Sequence, residues 1–346
     1  MTLSLLLLLP LSTSAPAGGV TLAVPGDFPT IQAAIDAAQP GDTVLVADGV
    51  YRGTGNRDVH FGGKAITVRS ENGPQHCTID CEGTPTVPFR GFVFDAAETR
   101  DSVLEGFTIT GGATLPGAIA DIFNGGGILI QAASPTIRNC HFVENQAGCW
   151  GGAVYVGDSH DFAPGPASPL IENCTFEANL ADDEGGGFFT WGFGHGSQPT
   201  IRNSVFLGNG AATGGGAVTS FGGTELVLDH VTMIGNSALI APNAWIGQAT
   251  VTNSILWNED EAGLVEWSTN TFSYSLVKGG VPGIGNLDVD PLFKPDGYHL
   301  RPISPLVDAG SPASVAGQLD IDGQPRRIGR RSDIGADEAI LRGIRR

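Results

Sequence analysis

The sequence predicts an all-β fold, a right-handed parallel β-helix closed by a helical cap at one end and a separate module at the other. Three observations carry this. Copies of one motif recur through the middle of the 346-residue chain, and within each copy the apolar parity shifts by one residue across an Asn. Gly (51) and Pro (22) are abundant while 41% of residues are still hydrophobic, a turn-rich balance that argues against disorder.

The elements follow in chain order. Leu5 to Leu9 form a compact apolar run followed by Pro10 and Ala15-Pro16-Ala17, the order of a signal peptide over 1–17 that is too short to span a bilayer. Export is therefore expected, although no Lys or Arg precedes the run. Residues 18–42 are expected to form the N-terminal cap. Ile31, Ala34, Ile35 and Ala38 carry the spacing of a short helix over Thr30 to Ala38, and such a helix hides apolar surface that the open end of a solenoid would expose. A first strand, Thr43 to Ala47, opens a β-helix expected over 43–280.

The repeat is the strongest signal. Residues 135–156 read PTIRNCHFVENQAGCWGGAVYV, 169–191 read PLIENCTFEANLADDEGGGFFTW, and 199–220 read PTIRNSVFLGNGAATGGGAVTS. Weaker copies are LVLDHVTMIGN (226–236), TVTNSILWN (250–258) and, earlier, LEGFTITGG (104–112). Leu104, Ile137, Ile171, Ile201, Leu228 and Val251 align, at separations of 33, 34, 30, 27 and 23. The shortest sets the basic coil, and loops such as Asp158 to Ser168 account for the excess. A strand alternates its side chains, so the three-residue step from Ile137 to Cys140 requires a bend at Asn139, and likewise at Asn173, Asn203 and Asn253. Asn tolerates the left-handed conformation of such a bend. A second column, Asn145, Asn179, Asn209 and Asn236, ends the strand and can hydrogen-bond from coil to coil. Arg138, Glu172, Arg202 and Asp229 share one outward position, where alternating charge opposes register slips.

Five cysteines leave at least one unpaired within a single chain. Cys77 and Cys81 flank a three-residue segment that could close a small ring. Cys140 and Cys174 fall in one slot of adjacent coils and are expected as stacked free thiols. Their spacings are not those of a zinc site.

Net charge is −18, and residues 102–277 hold sixteen acids against two basic residues, Arg138 and Arg202. That negative field disfavours nucleic acid. After Gly280 the repeat gives way to DPLF, SPLVDAGSP, DIDGQPR and DIGADE, a C-terminal module over 281–346.

Three resemblances cover most of the mature chain. PTIQAAIDAAQPGDTVLVADGVY (29–51) resembles the cap and first strand of pectate-lyase-like β-helix proteins. The pairing of F-x-x-N with GGA is similar to the repeats of chlamydial polymorphic outer-membrane proteins. SPLVDAG and DIGADE resemble the choice-of-anchor Q module of bacterial surface β-helix proteins. These resemblances imply the fold; the superfamily includes lyases, hydrolases, epimerases and adhesins, so they do not fix an activity.

Candidate chemistry centres on the second full copy. Asp182-Asp183-Glu184 is the densest acidic cluster, and its mutual repulsion raises pKa values or recruits a cation, so calcium is the expected cofactor if there is one. Asp183 and His195 are the catalytic candidates, since Asp182-Asp183 and Gly194-His195-Gly196 look like the DD and GHG elements of polygalacturonases. The NTD and RIK elements of that family are absent, and Asp183 to His195 is about half the expected spacing. Lyase action on an acidic glycan would need calcium, because the two central Arg residues face carboxylates. Trp150 and Trp191, with Phe188, Phe189 and Phe193 nearby, are candidates for stacking sugar rings; packing against the coil is the competing reading. The expectation is a secreted monomer that binds, or less readily cleaves, extracellular polysaccharide. A non-catalytic structural or adhesive surface protein is the alternative.

Overall fold

The computed structural model describes residues 19–117, 121–157, 165–192, 194–258, 263–266, 270–313 and 318–340. The expected leader over 1–17, residues 158–164 of the insertion, and Phe193 lie outside the described residues.

The chain coils as a right-handed parallel β-helix. One full coil runs from strand Thr136–Arg138 through a bend at Asn139 to His141–Val143, then through Asn145 to the short strand Gln146–Ala147, and back along Val154–Gly157. Stacked coils generate three long faces, called here sheets 1, 2 and 3 after that order, and a three-stranded strip at Gln146–Ala147, Leu180–Ala181 and Gly210–Ala211. Sheets 1 and 3 start as separate arms and fuse where single strands, Val218–Asp229 and Ala244–Thr252, run through the corner between them.

The predicted interior column is present and longer than the repeats suggest. Leu22, Val44, Val68, Leu104, Ile137, Ile171, Ile201, Leu228, Val251 and Phe272 pair in register in ten successive parallel strands. All are buried, each contributing about 1.5–3 kcal/mol of apolar transfer. On sheet 2, Phe142, Phe176 and Phe206 stack with ring centroids 4.8 and 4.3 Å apart.

Both Asn columns form. Asn139, Asn173, Asn203 and Asn253 have φ between +46 and +53°, the left-handed bend that the parity shift requires. In the second column each Asn Nδ2 donates to the Oδ1 of the next coil's Asn: Asn145 to Asn179 at 3.0 Å, Asn179 to Asn209 at 2.9 Å and Asn209 to Asn236 at 3.0 Å. Four successive coils also enter sheet 3 through a left-handed glycine, at Gly125, Gly151, Gly185 and Gly215, a position Ala241 takes in the next coil. At Gly185 φ is +67°, and a Cβ on Gly186 would collide with the carbonyl oxygen of Gly210.

Two expectations need correction. The stack starts before Thr43: strand β1 (Thr21–Val24) pairs in parallel with Thr43–Val46, so the helix α1 (Ile31–Ala37) both joins these two strands and covers the end of the core. Thr30 caps α1, accepting from the Ala33 N–H at 3.2 Å. Cys77 and Cys81 lie on one strand, Cys77–Asp80, and its continuation, with both thiols buried and free; at about 3.3 Å per residue their Cα atoms are too far apart for a bridge. Cys140 and Cys174 are free as well, and each Sγ donates to a backbone carbonyl, Arg138 O and Glu172 O, at 3.3 Å. The charge ladder alternates as expected, but Arg138 bonds back to Glu105 at 2.9 Å while Arg202 takes Glu172 at 2.7 Å.

The C-terminal segment docks along the last coils over a small core of Ile255, Trp257 and Leu276 against Leu300, Leu306 and Ile334. Its turns are held by carboxylates. Asp320 accepts from the Asp322, Gln324 and Glu338 N–H groups, Asp333 from Asp308 and Ala339, and Glu338 from Ile328 and Asp333. Arg326 is fully buried and donates to the Gly335 and Ala336 carbonyls.

Candidate functional site

A strand that forms one wall of a coil should turn polar residues outward. Sheet 3 does the reverse over its middle. Val93, Leu129, Tyr155 and Phe189 align on its outer side in consecutive strands, and all are buried beneath Trp150, Trp191 and Phe221. Trp150 lies flat on Phe189, with centroids 4.9 Å apart and 2° between planes, and sits 5.2 Å from Trp191 at 31°. Both tryptophans stay partly exposed. Tyr155 and Phe189 thus pack as filler, and the two tryptophans form the outer surface above them.

The acidic cluster borders this surface because the turn slots align from coil to coil. Trp150, Glu184, Gly214 and Ile240 bridge in parallel across four coils. Asp183 is held from both sides, Oδ2 accepting from Trp150 Nε1 at 3.2 Å and Oδ1 from Thr213 Oγ1 at 2.6 Å. Asp182 is exposed and accepts from Gln146 Nε2 at 3.1 Å. Glu184 accepts no side-chain hydrogen bond among the described residues, and burial, reinforced by the Asp183 charge, pushes its carboxyl up to about 7.

The structure brings Asp183, Glu184, Trp150 and Trp191 together and leaves two candidates apart. His195 stands exposed in the loop after Phe188–Trp191, joined to Asp183 by neither a hydrogen bond nor an ion pair. Asp182, Asp183 and Glu184 do not converge as a ligand set; among the described residues, the His299, Asp322 and Asp337 side chains do. Thr213, the partner that fixes Asp183, was legible only in hindsight, as the residue in the same slot one coil later.

A second concavity went unsuspected in the sequence. A groove of 670 Å³ separates the C-terminal segment from the coils, lined by Asn139, His141, Asn173, Glu177, Tyr298 and Asp322 among others. His141 and Glu177 pair along its coil wall at 3.0 Å, and burial raises the Tyr298 hydroxyl to about 12. Its two walls lie more than ninety residues apart in sequence, so no local pattern could reveal it. Another cleft, of 490 Å³, lies beside α1, where Arg57 covers the Phe89 ring at 3.5 Å.

Among the described residues no helix is long and apolar enough to cross a membrane. No curated protein matches the chain. Among solved structures, it is similar to a pectin methylesterase from carrot at 13% identity, with 75% of this chain and 90% of that one covered and a TM-score of 0.42. It is also similar to the pectate lyase Pel9A at 14% identity, covering 93% and 97%, with a TM-score of 0.43. A family model described as "Right handed beta helix region" matches residues 51–281, two thirds of the chain, and the protein belongs to that family.

Proposed function

We propose that this protein is an exported polysaccharide-binding β-helix whose glycan lies across the outer face of sheet 3, on Trp150 and Trp191. One observation carries the reading: an aromatic surface faces outward beside the carboxylates of Asp183 and Glu184, where a purely structural coil would present polar side chains. Aromatic faces stack on the C–H faces of sugars while neighbouring carboxylates accept from their hydroxyls. The leader-like residues 1–17 support export, and the tail's likeness to the choice-of-anchor Q module fits a protein that works outside the cell.

Cleavage is the second reading, and Glu184 favours it. A carboxyl raised to about 7 carries the proton that a glycosidic leaving oxygen needs, while Asp183 beside it, held by two donors, would supply the second carboxylate.

Calorimetry against a panel of neutral and acidic glycans, with and without calcium, tests both readings, alongside release of reducing ends or unsaturated products. Trp191→Ala is expected to weaken binding by about tenfold, the loss of roughly one stacking contact, with an unchanged far-ultraviolet spectrum. If cleavage occurs, it should decline as pH rises through about 7, and Glu184→Gln should abolish it while sparing binding. A parent that binds no glycan tested, or a Trp191→Ala variant that binds as the parent does, would return the aromatic face to a structural role. The calcium arm reports whether Asp182, Asp183 and Glu184 rearrange to hold an ion.

A further inference from the structure

We propose that His299, Asp322 and Asp337 form a binding site for a divalent transition-metal ion at the edge of the groove between the C-terminal segment and the coils. One ligand atom from each lies within 4.8 Å of the other two. His299 Nε2 and Asp322 Oδ2 are 3.0 Å apart; two ligands about 2 Å from a tetrahedral ion sit roughly 3.3 Å from each other, so this pair needs to open by only a few tenths of an ångström. Asp322, with 39% of its side chain exposed, is free to turn and close the remaining gap.

Two features point to a cation rather than to a histidine salt-bridged between aspartates. The first is the outer contact: His299 Nδ1 lies 3.1 Å from Asp296 Oδ2. Carboxylates in that position fix the tautomer of metal-bound histidines and turn the lone pair of the other nitrogen toward the ion. The second is Asp337. Its residue is 2% exposed, one oxygen accepts from the Leu300 N–H at 2.8 Å, and the other accepts nothing among the described residues. No Lys or Arg among those residues lies within ion-pair distance of Asp296, Asp322 or Asp337. Among the described residues the imidazole of His299 is the basic side chain that meets Asp296 and Asp322, and Lys294 acts on Asp337 from beyond ion-pair distance. A divalent ion offsets both Asp322 and Asp337 and fills the empty side of Asp337.

The donor set selects the class of ion. One imidazole nitrogen with two carboxylates suits zinc or manganese, whereas calcium takes six to eight oxygen ligands. Asp322 is also a groove-lining residue, so the position left open on a three-ligand ion faces the groove, where water or a ligand hydroxyl can occupy it.

The test needs no glycan, so its outcome is independent of the function proposed above. The full mature protein is stripped with chelator and titrated with zinc chloride and manganese chloride by calorimetry, with bound metal counted by elemental analysis after gel filtration. One equivalent per chain is expected, with affinity reduced at least tenfold by Asp322→Asn and by His299→Gln, and a melting temperature that rises with metal in the parent only. Asp322→Asn alters a partly exposed side chain and keeps the experiment decisive if His299→Gln fails to fold. No binding of either metal at millimolar concentration, or equal binding by the parent and Asp322→Asn, would overturn the assignment and leave His299 as an ion-pair partner of Asp296 and Asp322.

Discussion

The coils and the C-terminal segment satisfy their buried backbone by opposite means. In the coils each strand meets an equivalent strand above and below, and the Asn145 to Asn236 ladder closes the turns with neutral amides. The C-terminal segment has no neighbour of its own kind, and carboxylates of Asp320, Asp333 and Glu338 bind the orphan N–H groups around a buried Arg326. Repetition lets one residue type serve every coil; without it, each turn needs its own staple. The staples carry charge, so the two regions should respond differently to mutation and to pH.

The largest difference is expected at Arg326. Removing its side chain in Arg326→Ala leaves buried carboxylates without their cation, and loss of a buried ionic partner costs about 3–5 kcal/mol. Hydrogen exchange should show the C-terminal segment opening while Val154–Gly157 and its neighbours keep their protection; equal loss in both regions would mean that they fold as one unit. Next comes Asn179→Ala, which strands donors and acceptors on both adjacent coils at about 1–3 kcal/mol, read as a lower urea midpoint. A smaller, pH-dependent effect falls on the segment through Asp333. Burial raises Asp333 to about 6, so the folded chain holds a proton that the unfolded chain releases near 4. Its contribution to stability is therefore greatest at low pH and declines as pH rises between those values. Asp333→Asn should flatten that slope, measured by exchange in the segment from pH 4 to 7. The smallest effect is expected at Arg202→Gln on the outer ladder, under about 1 kcal/mol.

Much of this architecture was legible because it repeats. The parity shift at Asn139 and Asn173 and the column through Ile137, Ile171 and Ile201 follow from strand geometry alone. Thr21–Val24 escaped notice because its partner is the second strand and not another copy of the motif, and a four-residue strand has no periodicity to display. The face of sheet 3 was half legible: Trp150 and Trp191 stood out as residues, but that Tyr155 and Phe189 point outward beneath them depends on which side of the wall each strand presents. The tail motifs were visible as strings, whereas the roles of Asp320, Asp333 and Glu338 emerge only when the segment folds back on itself. His299, Asp322 and Asp337 meet for the same reason, and nothing in their spacing announces it.

The corner between sheets 3 and 1 carries twelve residues after Gly157, eight after Trp191 and only a bulge at Gly222 and Gly223 within the single strand Val218–Asp229. One joint thus accepts very different lengths of chain while the rungs on either side keep register. For protein engineering it is a socket: a foreign peptide of about a dozen residues placed between Phe221 and Thr224 should be displayed at a defined height along the rod. Successive sockets one strand apart would set grafted peptides at intervals of about 4.8 Å, a ruler built into the scaffold.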